Sequence, residues 1–329
     1  MLINILYFLL ISVVVYFGIA LVLIFSGRPK KSAQVSLAFS ELLFEYENLP
    51  PLDKFKARDN AILSYRYYPS QSNTIIILLH GSGWHSRYLL PLAAFLSSEG
   101  LARVFTPDLR GHGYTPERRG DVEYVDQFED DLADFIVFLL KDNSNAFLIL
   151  GGHSSGGGLA IRFAGSRYGN LVDAYFLLSP FLKYNAPTMR LNSGGWANPY
   201  KKRIIGLTML NNLAIHSFDY LPAIEFNMPN EVCDGTETLI YSHRLNTAYA
   251  PHSYKNDLAA IKQPLLVVAG TADEAFWADR FEPVIKKYTE ATVKLLPDVT
   301  HIGLIVGPEV RPIVKKWLEN FGKQTCSSK

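Results

Sequence analysis

The chain is short of cysteine and of net charge. Cys233 and Cys326 are the only cysteines among 329 residues, too few and too distant for a disulfide framework or a cysteine metal site. Thirty-two Lys and Arg against 31 Asp and Glu leave a net charge of +1, so there is no electrostatic case for a nucleic acid partner. No internal repeat and no long low-complexity tract is present, which argues against repeat architectures. Charge is missing altogether from Leu2 to Phe25, where only Asn4, Ser12 and Gly18 interrupt the apolar run.

That last absence is informative. At ~1.5 Å per residue the run spans about 36 Å, enough to cross a hydrocarbon core of about 30 Å with some tilt. A cleaved signal peptide is the rival. It is disfavoured by the lack of a basic n-region, the length of the apolar stretch and the lack of a small-residue cleavage site. A membrane anchor over 2–25 is therefore expected. Arg28, Lys30 and Lys31 follow the span while only the α-amino group precedes it, which places the following domain in the cytoplasm. About 300 residues remain, enough for one large α/β domain with a sizeable core.

The most specific local signal is Gly152-His153-Ser154-Ser155-Gly156, behind the apolar strand 146–151 and ahead of a helix expected over 157–168. This is the G-x-S-x-G strand-to-helix turn, in which small residues must flank the serine. It lifts Ser154 Oγ clear of the sheet and aims the Ser155 N–H at a developing oxyanion. His80-Gly81-Ser82-Gly83 follows a continuous apolar run, Thr74–Leu79. Its glycines let the Ser82 N–H act as a second oxyanion donor.

Strand and helix signals alternate along the chain and argue for a mostly parallel, doubly wound sheet. A juxtamembrane amphipathic helix is expected over 32–49, with Ser32 as cap and Val35, Phe39, Leu42, Leu43 and Tyr46 on one face. A hairpin is expected around Asp59-Asn60, and further strands at 101–106, 173–178, 265–269 and 292–296. Helices are expected over 122–139, 276–288 and 308–321. From about 181 to 262 the rhythm breaks, with Lys201–Ala214 its clearest helix. This reads as an inserted cap in a domain running from 52 to 321.

A serine hydroxyl needs an oriented base. Asp273 lies directly after the strand at 265–269 and His301 directly after the last strand, which gives the chain order Ser, Asp, His of α/β-hydrolases. Glu274 and Asp279 compete with Asp273 for the acid. Of the other histidines, His80, His112 and His153 suit structural hydrogen bonds, His85 suits a substrate contact, and His216, His243 and His252 belong to the cap.

Together these residues resemble the monoacylglycerol lipase and lysophospholipase group of α/β-hydrolases, often described as serine aminopeptidase-like, over roughly residues 52 to 321. The resemblance rests on H-G-S-G at His80–Gly83, D-L-R-G-H-G at Asp108–Gly113 and Y-V-D-Q-F-E-D-D-L at Tyr124–Leu132. The G-H-S-S-G turn, G-T-A-D at Gly270–Asp273 and T-H at Thr300–His301 complete it. It implies a triad of Ser154, Asp273 and His301, with an oxyanion hole from the Ser82 and Ser155 amides. The activity implied is hydrolysis of amphiphilic carboxylic esters without metal or organic cofactor. The chain departs from the group at Ser155, where many relatives carry Met, in its cap and in the preceding span. Two alternatives stay open. One is a peptidase or thioesterase, for which Glu225, Glu231, Asp234 and Glu237 are candidate amine ligands. The other is a hydrolase-like binding protein without turnover. Phe181, Tyr184, Trp196, Phe218, Tyr220 and Phe226 are candidates for an acyl pocket.

Overall fold

A computed structural model describes residues 1–28 and 37–326, with side chains to Phe321. Its centre is an eight-stranded sheet whose middle strands are apolar runs that need no alternation, because both of their faces are covered. In chain order its strands are β1 (Asp53–Lys56), β2 (Ile62–Tyr68), β3 (Thr74–Leu79), β4 (Arg103–Pro107), β5 (Phe147–His153) and β6 (Ala174–Leu178), then β10 (Leu265–Gly270) and β11 (Thr292–Leu296). The spatial order is β1-β2-β4-β3-β5-β6-β10-β11. β1 and β2 pair antiparallel, as do β2 and β4, and all other neighbours are parallel. Ile75 to Leu79 of β3 and Leu266 to Ala269 of β10 are completely buried. This is an α/β-hydrolase fold.

Helices α2 (Leu90–Ser98), α3 (Gln127–Leu140), α4 (Ser155–Gly165), α8 (Phe281–Ile285), α9 (Gly303–Val306) and α10 (Arg311–Cys326) belong to this framework. The interruption carries a three-stranded antiparallel sheet of β7 (Ala197–Pro199), β8 (Pro222–Phe226) and β9 (Ile240–Ser242). With it go α5 (Lys201–Asn211), α6 (His243–Tyr249) and α7 (Tyr254–Ala260).

Several expected helices differ in their bounds, three of them substantially. Of 32–49, residues 32–36 lie outside the described residues, and the remainder forms a single 3-10 turn, Phe39–Leu42. Leu37, Phe39 and Leu42 insert into the main core, and that burial outweighs a helical stripe. The helix expected over 122–139 starts only at Gln127, because Asp121 is held by Arg244 through two hydrogen bonds of 2.7 and 2.6 Å. In 276–288 only Phe281–Ile285 is α-helical.

The apolar N-terminal segment is helix α1 (Leu2–Phe25). Its first turns are exposed, but its last turns lie along α5. Ala20 and Ile24 are fully buried with Leu207 and Leu210, Arg203 Nε donates to Ile24 O at 2.9 Å, and Tyr16 Oη donates to Met209 O at 2.7 Å. Gly206 makes the approach possible, since a Cβ there would stand 2.6 Å from Ala20 O and 2.8 Å from Ile24 Cγ1. Gly206→Leu should therefore cost about 1–3 kcal/mol through overpacking, read as a lower Tm of the detergent-solubilised chain. An unchanged Tm would mean that α1 is not seated on the cap.

Candidate active site

Ser154 lies between β5 and α4, at φ 55° and ψ −120°. A side chain at positive φ away from the left-handed helical well is strained by about 1–3 kcal/mol, and persists only where its surroundings over-determine it. They do so here. A Cβ at Gly152 would lie 2.4 Å from the Gly156 carbonyl, and one at Gly156 would lie 2.4 Å from Leu79 O. The Ser154 N–H donates to Leu178 O at 2.9 Å, tying the turn to β6.

The loops after β3, β5, β10 and β11 converge at the carboxyl ends of their strands. Asp273 and His301 meet: His301 Nδ1 lies 2.9 Å from Asp273 Oδ2. The other carboxylate oxygen, Oδ1, accepts from the Ala275 and Phe276 N–H groups at 2.8 and 2.9 Å. Burial works to raise the Asp273 pKa, but the charge and hydrogen bond of His301 and the Phe276 N–H hold it below the ordinary carboxylate range. Asp273 is thus an anion that fixes Nδ1 of His301 as the protonated nitrogen and leaves Nε2 to accept a proton.

Ser82, Ser154, Ser155 and His301 border one cavity of about 60 Å³. Among the described residues no hydrogen bond joins Ser154 Oγ to the His301 ring, whose Nδ1 is held by Asp273, and neither the Ser82 nor the Ser155 amide donates to a backbone carbonyl. In a site without substrate the hydroxyl-to-imidazole contact is often open and tightens on binding. Phe181, Trp196, Ala197, Ile224, Phe226, Ala275 and Phe276 make the rest of the wall mainly apolar, with Ser193, Tyr241, Asn246 and Tyr249 as polar exceptions.

The competing residues are placed elsewhere. Glu274 does not reach the imidazole; its carboxylate accepts the backbone N–H groups of Ala38 and His301, each at 3.0 Å. Asp279 is exposed. His85, expected at the substrate, is instead fully buried, with Nε2 2.9 Å from Thr236 Oγ1. Phe181, Trp196 and Phe226 line the cavity, whereas Tyr184 and Tyr220 are exposed and Phe218 meets Phe25 of α1 edge-on.

His153, inside the serine turn, has a definite job. Tyr88 Oη accepts the Gly81 N–H at 2.7 Å and donates to His153 Nδ1 at 2.9 Å. His153 Nε2 must then carry the proton it shares with His301 O, 3.0 Å away. Burial and the neighbouring His301 push the His153 pKa well down, so the ring is neutral and this chain of bonds persists at neutral pH. It joins the Ser82 loop to the His301 loop through the serine turn. Tyr88 and Glu274 in these roles carry no local signal in the sequence, because each acts on a backbone group distant along the chain.

Residues 70–304 match the family model described as serine aminopeptidase, S33. Monoglyceride lipase of Saccharomyces cerevisiae is 28% identical over 160 residues, which cover 44% of this chain and 51% of that protein. Human monoglyceride lipase is 32% identical over 142 residues, covering 43% and 45%. The chain spans about half the length of the curated relatives it matches. Among solved structures, a soluble variant of the Saccharomyces cerevisiae monoglyceride lipase with a substrate analogue superposes with a TM-score of 0.64 at 18% identity. That match covers 84% of this chain and 98% of the other, and at such identity it speaks to fold alone.

Proposed function

The chain belongs to the serine aminopeptidase S33 family, and from that membership we propose that it is a serine hydrolase cleaving carboxylic esters of amphiphilic lipids through an acyl-enzyme. Ser154 Oγ attacks the ester carbonyl while its proton passes to His301 Nε2. Asp273 holds Nδ1–H and stabilises the imidazolium. The oxyanion sits between the Ser82 and Ser155 N–H groups, one such donor being worth about 3–4 kcal/mol. His301 returns the proton to the leaving alkoxide, then takes one from the water that attacks the acyl-enzyme and passes it to Ser154 Oγ as the acid is released. No step calls on a metal or an organic cofactor.

The observation that carries ester over peptide is the composition of the cavity wall, which among the described residues includes no Asp or Glu. An aminopeptidase needs a carboxylate to hold the substrate ammonium, and three of the four candidate cap carboxylates are engaged otherwise. Glu225 accepts from Tyr200 Oη, Asp234 pairs with Arg87, Glu237 accepts the Asp234 and Gly235 N–H groups at 2.6 and 2.9 Å, and Glu231 is exposed. The lipid reading rests on the apolar wall and on the two monoglyceride lipase relatives. The cavity is small, about 60 Å³, and Phe181, Trp196 and Phe226 in its wall are where an acyl chain would lie.

We read α1 as a membrane anchor with the hydrolase domain on the cytoplasmic side. Its seat on the cap supports retention, because removing α1 would bare Leu207 and Leu210. Arg28, Lys30 and Lys31 support the orientation. Protease added to sealed cells should spare the domain, and digestion there would reverse the orientation.

The test of the activity uses the purified full chain with chromogenic esters of graded length, then monoacylglycerols, lysophospholipids and aminoacyl amides. Ester turnover should exceed that of aminoacyl amides by about 100-fold or more in kcat/KM, as a site lacking a needed polar partner discriminates at this scale. The reverse preference would overturn the ester reading.

A further inference from the structure

The cap does more than roof the serine. Gly83, the residue after Ser82, is gripped by cap residues on three sides. Its N–H donates to Tyr241 Oη at 2.7 Å, and its carbonyl accepts from the Thr238 N–H at 3.1 Å. Over its Cα lies the Trp196 indole, so close that a Cβ would stand 2.7 Å from Cζ2. The indole N–H also reaches Ser82 Oγ at 3.5 Å.

Tyr241 is itself immobilised. It is fully buried, and its hydroxyl donates to His112 Nε2 at 2.6 Å. His112 Nδ1–H in turn donates to Arg110 O at 3.0 Å. The Tyr241 ring lies parallel to Tyr249 and edge-on to Phe226, with centroids 6.0 and 4.8 Å apart. Burial raises the Tyr241 pKa and, with the nearby His80, depresses that of His112, so donor and acceptor keep these roles at any working pH.

The need for such a grip follows from the sequence. Ser82 stands between Gly81 and Gly83, and Gly83 has φ +80°. A serine between two glycines has a backbone free to swing its N–H away from the site. The framework restrains the first glycine, because the Gly81 N–H donates to Tyr88 Oη at 2.7 Å and Gly81 O lies 2.8 Å from His80 Nδ1. The second is restrained by the cap.

We propose that Tyr241 is a positioning residue for the oxyanion hole: by accepting the Gly83 N–H it fixes the Ser82–Gly83 peptide, and so restrains from its far side the Ser82 backbone whose own N–H points to the hole, which makes the β9 segment of the cap part of the support of the hole. This rests on the reading of Ser82 and Ser155 as oxyanion donors. The amide binds a developing oxyanion more strongly than a neutral carbonyl, so the effect falls mainly on the transition state.

The experiment compares the full-length chain with Tyr241→Phe on a short chromogenic ester, together with two inhibitors that differ only in three fluorines. One is a trifluoromethyl ketone, which forms an oxyanion on Ser154; the other is the methyl ketone, which binds without reacting. Misplacement by about 1 Å costs on the order of 100-fold. Tyr241→Phe should lower kcat by about 10- to 100-fold, leave KM within about twofold, and weaken only the trifluoromethyl ketone, by the same factor as kcat. An unchanged kcat, or equal weakening of both ketones, would overturn the proposal. If Tyr241→Phe does not fold, His112→Gln, which perturbs the acceptor of the Tyr241 hydroxyl, should show the same pattern to a smaller degree. Failure of wild-type Ser154 to react with a fluorophosphonate would sink the hydrolase reading instead, so the two failures are distinguishable.

Discussion

Ser154→Ala should lower kcat by about 10⁴-fold or more while leaving the fold and KM nearly intact, because the members of a triad act as a unit. The small side chain at 154 relieves nothing in the packing, since the constraints at the turn come from Gly152 and Gly156 rather than from the hydroxyl. Asp273→Asn should cost less than Ser154→Ala. It keeps the size of the group but replaces an anion that accepts the Nδ1 proton and two N–H groups with an amide that serves the imidazole poorly. The measurement is steady-state turnover of a chromogenic ester at fixed detergent concentration. Near-normal activity in Asp273→Asn would move the acid to another carboxylate. Glu274 is then the first to test, although it holds the backbone of His301 rather than its ring.

The second large effect is on stability in mild acid. His80, His112 and His153 are buried, which disfavours their charged forms. Burial pushes His80 down to about 4, and pushes His112 and His153 well below their ordinary value, helped by His80 and His301 respectively. In the unfolded chain each binds a proton near pH 6.5. Below that pH the unfolded state holds more protons than the folded state, so stability is complete above about pH 6.5 and is lost as the pH falls toward 4. At about 1.4 kcal/mol per proton per pH unit, three such groups give a slope approaching 4 kcal/mol per unit, or roughly 5–10 °C in Tm. Glu41, Asp131 and Asp257 have raised pKa values and give the opposite slope nearer the carboxylate range, so the histidines are read between pH 6.5 and 5. Tm of the full chain across that window should fall steeply. A flat profile would mean that the three rings are charged or solvated in the folded state.

Much of the fold was legible because a parallel sheet buried on both faces writes itself as uninterrupted apolar runs. Thr74–Leu79 is a strand with the bounds its run suggests, and the run at 265–269 is a strand one residue longer. Elements were misread where a distant partner decides. Residues 276–280 were expected to open a helix. Instead, Asp273 takes the Ala275 and Phe276 amides and Trp277 N–H donates to Thr188 O at 2.7 Å, which holds the segment open. Pro308 was expected to start the last helix, which begins instead at Arg311 with Pro312 in its first turn. The serine turn, the H-G-S-G loop and the residues after β10 and β11 were readable because each follows a strand directly. The cap sheet was not: β7, β8 and β9 are three to five residues long, and Tyr241 meets Gly83 across 158 positions of sequence. No local periodicity encodes that contact.

The central claim is that Ser154 becomes a nucleophile because His301, held by Asp273, can take its proton. Reaction of the intact chain with a fluorophosphonate, followed by peptide mass mapping, tests it most directly. The account predicts one adduct, on the peptide carrying Ser154, forming at a rate that collapses in His301→Ala although that variant remains folded. An adduct at another serine, or labelling of Ser154 at the same rate without His301, would contradict it.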